Sequence, residues 1–182
     1  MLKEIDEKLQ VLEDTKRYLI RHVDSLSTEE RERAPKPGQM SPIQVLAHVV
    51  LVEETVTGPF VSDTKNRTVS LKGYLFMLTA VALMRFGCRI PTLPYLSPKG
   101  PQDYEATKRR WEEARINLRR KLERVTARSK KIPIAFQPMA GPMTADMVLE
   151  FLNVHLRYHW KHFPKSATVQ LPLVPKPAPK RA

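Results

Sequence analysis

Residues 147–163 read MVLEFLNVHLRYHWKHF. Val148, Phe151, Leu152, His155 and His159 recur at helical steps, so the run reads as an amphipathic helix whose apolar stripe is continued by imidazoles. Four residues turn a helix through about 400°, which sets His155 and His159 roughly 40° apart and one turn along, a chelating spacing. Thr144 can cap this helix, and Pro164 follows its end. The histidines therefore face a helical core rather than water.

Upstream, Ser41-Pro42-Ile43-Gln44 is a strong helix start. Serine suits the cap, proline the first helical position, and glutamine the third. The predicted helix runs from Pro42 to about Thr57 and stops at Gly58-Pro59. His48 shares a face with Val45, Leu51, Val52 and Thr55, so it too points inward. An imidazole on one helix facing an HxxxH pair on another is a common way for bundles to build a metal site. Three neutral imidazoles suit zinc, nickel or iron(II), with positions left open for water or substrate. On spacing alone, core histidines satisfied by hydrogen bonds are the favoured reading over metal ligands. His22, on a charged helix, and His162, beside Pro164, read as structural.

The remaining chain fits the same architecture. Leu2, Ile5, Leu9, Leu12, Leu19, Val23 and Leu26 make a first helix over 2–26, with the stripe interrupted at Lys16. Ser27-Thr28-Glu29-Glu30 starts a short turn of helix. Residues 62–70 read as a loop, Lys72 to Arg85 as a helix, and the proline-rich stretch 88–102 as an irregular connection. A further helix, from about Asp103 to Ser129, carries Trp111, Ala114, Leu118, Leu122 and Val125 on one stripe. Ile132 to Pro142 reads as extended or looped, and no strand pair is expected. The expected fold is all-α, with a helical bundle domain over residues 1–163 and a Pro/Lys-rich, disordered tail over 164–182.

At 182 residues with 42% hydrophobic content, the chain can bury a core, which excludes a wholly disordered protein. Its one cysteine, Cys88, excludes an internal disulfide framework and any multi-cysteine metal site. The opening MLKEIDEKLQ carries charge where an export signal needs an apolar core, so a cytoplasmic location is expected. The longest uncharged apolar-rich stretch, Gly73 to Met84, falls short of the roughly 18–20 residues that span a bilayer. No phosphate-binding glycine loop, nucleophile elbow or dinucleotide fingerprint occurs.

The net charge of +12 is concentrated. Residues 105–131 hold 11 basic and 4 acidic side chains, and 161–182 add five basic ones. Such a helix suits nucleic acid or an anionic surface. The interleaved Glu105, Glu112, Glu113 and Glu123 suit intrahelical ion pairs on a solvated face instead. Cys88, near Arg85 and Arg89, could form a thiolate, but one unpartnered cysteine reads more simply as a loop residue.

Two segments carry a family resemblance. Pro37-Gly38-Gln39-Met40-Ser41-Pro42-Ile43-Gln44-Val45-Leu46-Ala47-His48 resembles the second-helix motif of the DinB/YfiT-like proteins. Phe136-Gln137-Pro138-Met139-Ala140-Gly141-Pro142-Met143-Thr144, with Phe151 through His162, resembles their C-terminal motif, and Tyr104 to Leu122 their penultimate helix. The resemblance implies a four-helix bundle of up-down-down-up connectivity, often a homodimer, with a divalent-metal site at His48, His155 and His159. It further implies a thiol-dependent transferase, using a low-molecular-weight thiol, or a metal-dependent hydrolase, acting on a small molecule. Met40 replaces the family's tryptophan, Gln137 a frequent histidine and His162 a frequent glutamine.

Hydrolysis would want a general base beside the metal. Glu53 and Glu54 project about 140° and 120° from the His48 face, on opposite sides, so both read as solvent-facing or dipole-related rather than catalytic. Arg157 and Tyr158 project away from the ligands. The competing readings are a non-catalytic basic module that binds nucleic acid or an anionic surface, and a metal-free bundle with an interaction role.

Overall fold

The structure is a computed structural model, described here for residues 1–58, 68–88 and 90–163. Its helices are α1 (Lys3–Asp24), α2 (Thr28–Glu32), α3 (Pro42–Thr57), α4 (Leu71–Arg85), α5 (Tyr104–Glu123) and α6 (Ala145–His162). A 3-10 turn, Pro94–Leu96, interrupts the connection from α4 to α5, and strands β1 (Ala135–Gln137) and β2 (Gly141–Met143) precede α6. Among the described residues the fold is all-α apart from that small hairpin. Among the described residues no helix is long and apolar enough to cross a membrane. The expected tail, Arg89 and most of the expected 62–70 loop lie outside the described residues.

Local chemistry sets the helix starts. Ser41 Oγ accepts from the Gln44 amide, and Gln44 Oε1 accepts from the Ser41 amide, with Pro42 at the first position. Ser70, Asp103 and Thr144 accept in the same way from Gly73, Ala106 and Met147. Each cap satisfies an amide that the helix itself cannot.

The core forms where α1 packs on α6, α3 on α5 and α6, and α4 on the outer side of α6. Ile5, Leu9, Leu12, Leu19 and Val23 of α1 are buried, as is Trp111 of α5. Lys16, which breaks the α1 stripe in sequence, is buried too; its ammonium reaches Glu112 on α5 at 2.6 Å and lies over the Trp111 ring.

Three expectations are corrected. First, α5 ends at Glu123 rather than near Ser129. Thr126 and Ser129 bond each other's amides through their hydroxyls, which competes with helix continuation. Second, residues 135–143 do pair as strands, with Ala135 opposite Met143 and Gln137 opposite Gly141. Gln137 Oε1 accepts from the amides of Met139 and Ala140, and Gly141 takes φ 76°, closing the tip. The tip presses on α4, where a Cβ added at Gly73 would lie 2.0 Å from the Ala140 carbonyl oxygen.

Third, Glu53 is buried rather than solvent-facing, at 1% exposure. Its face of α3 points to α5, where Trp111 Nε1 donates to Glu53 Oε2 at 2.7 Å and Arg115 pairs with Oε1. Arg115 also reaches Glu13 of α1 at 3.3 Å. Helix α3 is buried almost all round because it packs on α5, α6, α2 and β1, so it has little solvent face to offer a carboxylate.

Candidate metal centre

His48 of α3 and His155 and His159 of α6 meet where those helices pack. All three are buried, and one ligand atom from each lies within 4.8 Å of the others. His155 Nε2 stands 3.3 Å from His48 Nε2 and 3.0 Å from His159 Nε2. Ligand nitrogens about 2.0–2.1 Å from a tetrahedral zinc ion lie roughly 3.3–3.4 Å apart, so the His48–His155 separation matches a shared cation and the His155–His159 one is slightly shorter.

The tautomer of His48 is set from outside. Its Nδ1 lies 2.8 Å from the Leu96 carbonyl oxygen, which can only accept, so Nδ1 carries the proton. The Nε2 lone pair is thereby turned toward the other two imidazoles. Phe151 stacks on His155 with rings 5.7 Å apart, and Tyr158 sets its face edge-on to His159 at 5.2 Å. Tyr158 is therefore part of the ring packing around the site, contrary to its expected outward projection. Its hydroxyl accepts from the Ile90 amide at 3.4 Å.

Burial also sets the charge state. It holds His155 well below the ordinary imidazole range, reinforced by the neighbouring His159 and His48. Burial lowers His48 as well, partly opposed by the Leu96 hydrogen bond. Neutral imidazoles are the form that donates a lone pair to a metal. The residues present therefore fit a divalent ion by donor type, spacing and protonation.

Neither neighbouring glutamate faces this centre. Glu53 is taken up by Trp111 and Arg115, and Glu54 binds Arg110 of α5 in a two-pronged pair at 2.9 and 2.5 Å. Burial raises the Glu53 carboxyl, with Arg115 opposing. His22 lies apart from the cluster, with Trp160 and Phe163 edge-on to its ring. The His162 side chain lies outside the described residues. Cys88 is exposed just past α4.

The basic helix is tied less to itself than its sequence suggests. Among the described residues, Lys108–Glu105 is the ion pair made within α5. Arg110 and Arg115 cross to other helices, and Lys121 donates to the Gly58 carbonyl.

A family model described as the DinB superfamily matches residues 12–163. The chain belongs to the DinB superfamily. No curated protein and no solved structure matches it. In this DinB protein the Ser41-Pro42 start positions His48 close to two turns into α3, and the 136–144 turn delivers the chain to α6. Gln137 has a structural task at the hairpin tip. Besides the Tyr158 ring, the Leu96 carbonyl is a contact to the trio that the sequence did not announce, since a backbone acceptor in a proline-rich connection has no residue signature.

Proposed function

We propose that this DinB protein is a divalent-metal-dependent enzyme acting on a small molecule, either as a thiol-dependent transferase or as a hydrolase. The observation that carries the reading is the convergence of three buried imidazoles, two Nε2–Nε2 separations being 3.3 and 3.0 Å. His48, His155 and His159 are the ligands, and zinc, nickel and iron(II) all suit them. A divalent ion held by three neutral ligands would retain its +2 charge and supply Lewis-acid activation of water or of a low-molecular-weight thiol. Leu96 fixes the His48 tautomer, Phe151 and Tyr158 restrain the other two rings, and burial favours the neutral form of His48 and His155. A cytoplasmic location accords with the single cysteine.

The test is elemental analysis of the full, tag-free chain beside a His155→Ala/His159→Ala variant. Near one equivalent of metal in the parent, lost from a folded variant, supports the reading and opens thiol transfer and hydrolysis to assay. No metal uptake after incubation with zinc, nickel and iron(II) would overturn it.

One observation favours a second reading. Arg109, Arg119, Arg120 and Arg124 are exposed and make no ion pair among the described residues. A polyanion such as nucleic acid would find them available. Affinity for a duplex that falls steeply with salt and ignores chelation is the signature of that module.

A further inference from the structure

The positive charge of α5 is confined to one end of it. Residues 103–115 balance at four basic and four acidic side chains, whereas residues 116–131 carry seven basic and one acidic. Two of those seven are engaged: Lys121 donates to the Gly58 carbonyl, and Lys130 pairs with Glu4 and Asp146. Arg119, Arg120, Arg124, Arg128 and Lys131 are exposed and make no ion pair among the described residues.

Contacts bring three helix starts to this same end. Lys130 ties the turn after α5 to Glu4 near the start of α1 and to Asp146 near the start of α6. The chain then runs through Ile132 into the β1–β2 hairpin, whose tip rests on Gly73 at the start of α4. Large apolar side chains are exposed along this path: Ile132 at 51%, Phe136 at 38%, Met139 at 50% and Leu71 at 74%. Lys72, beside Leu71, is exposed as well. Met139 stands at the hairpin tip, where turn chemistry ordinarily favours polar residues.

We infer that this end of the bundle docks on an anionic bilayer, its unpaired cations meeting lipid headgroups and its apolar tips entering the boundary beneath them. Scattered exposed apolar residues need no explanation, but here they share one end of the molecule with a cluster of cations. Binding at a membrane surface draws on both, through buried apolar area and attraction to anionic lipid. Each cation near such a surface is worth about fivefold in affinity. The inference rests on the polyanion reading of the α5 arginines, whose partner it names, and is independent of the metal trio.

Nucleic acid fits this end less well. A duplex laid along α5 would meet Glu105, Glu112 and Glu113 as well as the arginines, and its phosphates would gain nothing from Ile132, Met139 or Leu71. A membrane plane across the end of the bundle touches the basic half alone. Of the carboxylates there, Glu4, Glu7 and Asp146 are in ion pairs, which leaves Asp6 and Glu123 against the unpaired cations.

Cosedimentation of the full chain with lipid vesicles tests the inference. Binding is expected to mixed phosphatidylglycerol and phosphatidylcholine vesicles at low salt, with none to phosphatidylcholine alone and release at high salt. Arg124→Glu/Arg128→Glu should weaken it several hundredfold, on the order of fivefold per unit of charge changed. Met139→Ser, which keeps the backbone bond to Gln137, should weaken it about tenfold. Both variants alter exposed side chains, and far-UV circular dichroism verifies that they fold. Met139→Cys in a Cys88→Ser background, labelled with a polarity-sensitive fluorophore, should shift its emission to the blue on vesicles. Failure to bind the anionic vesicles overturns the inference. So does binding indifferent to Met139→Ser, or binding that leaves the emission unshifted. Duplex binding without vesicle binding overturns it while leaving the polyanion reading in place, and binding to neither removes both.

Discussion

His48 and Leu96 are joined across 48 residues of chain: the imidazole Nδ1 donates to the Leu96 carbonyl oxygen at 2.8 Å. The contact links a core helix to an otherwise irregular, proline-rich connection, and it turns one imidazole's free lone pair toward the other two. The carbonyl is held in place because the Leu96 side chain is itself buried.

Leu96→Ala is therefore expected to weaken metal binding while leaving every proposed ligand in place. Outright loss of a ligand's outer hydrogen-bond partner costs about 10–100-fold in metal affinity; this substitution keeps the carbonyl and removes its anchor, so a loss at the low end, about tenfold, is expected. Competition against a chromogenic chelator measures it. An unchanged Kd would show that the turn merely covers His48 without orienting it.

Metal removal should be visible in stability. A ligand that binds the folded state alone, present at about a hundredfold over its Kd, adds about 2.7 kcal/mol. In a domain of this size each kcal/mol moves Tm by about 2–4 °C. Zinc should thus raise the Tm of the parent by several degrees, and a chelator should reverse the rise. His155→Ala should show neither effect. An equal rise in that variant would locate zinc elsewhere.

The buried cluster around Glu53 makes a different forecast. Glu53→Ala leaves Arg115 nearly inaccessible, with Glu13 at 3.3 Å as its remaining carboxylate. Removing one partner of a buried pair typically destabilises by about 3–5 kcal/mol. Trp111→Phe removes only the indole donor to Oε2 and should lose about 1–3 kcal/mol. Replacing the pair together, as Glu53→Leu/Arg115→Met, should recover much of the single-variant loss, because both desolvated charges go at once. Urea denaturation of the cycle decides; additive losses would mean the two residues act independently.

How far these features could be read from sequence depends on where each one's information lies. The start of α3 was legible because Ser41, Pro42 and Gln44 each do their capping task within four residues. The inward placement of the trio was legible from helical periodicity, whereas its joint reading as a metal site came from the family resemblance. Glu53 misled because projection from His48 says which way a side chain turns, and not what packs on that side. The apolar run around it, from Ile43 to Val52, was the available warning that α3 is buried all round. The hairpin at 135–143 escaped because three-residue strands are too short to display alternation. Leu96 escaped because its contribution is a backbone oxygen.

Acid should loosen α6 at its first turn. Burial alone would raise the Asp146 carboxyl, but the hydrogen bond and charge of Lys8, with Lys130 behind them, bring it below its ordinary value. Lys8 of α1 stands 2.5 Å from Oδ1 and Lys130 3.6 Å from Oδ2. A carboxyl whose folded pKa is lowered contributes stability above its unfolded pKa, and that contribution is lost as pH falls through the folded value. Asp146 also sits at a helix N-terminus, where a negative charge is favourable. Asp146→Asn should therefore be less stable than the parent by about 1 kcal/mol at neutral pH. The gap should close below about pH 3.9, as the parent's carboxylate is protonated. Thermal unfolding across that range measures it, and a gap that persists in strong acid would assign the loss to the side chain's packing rather than to its charge.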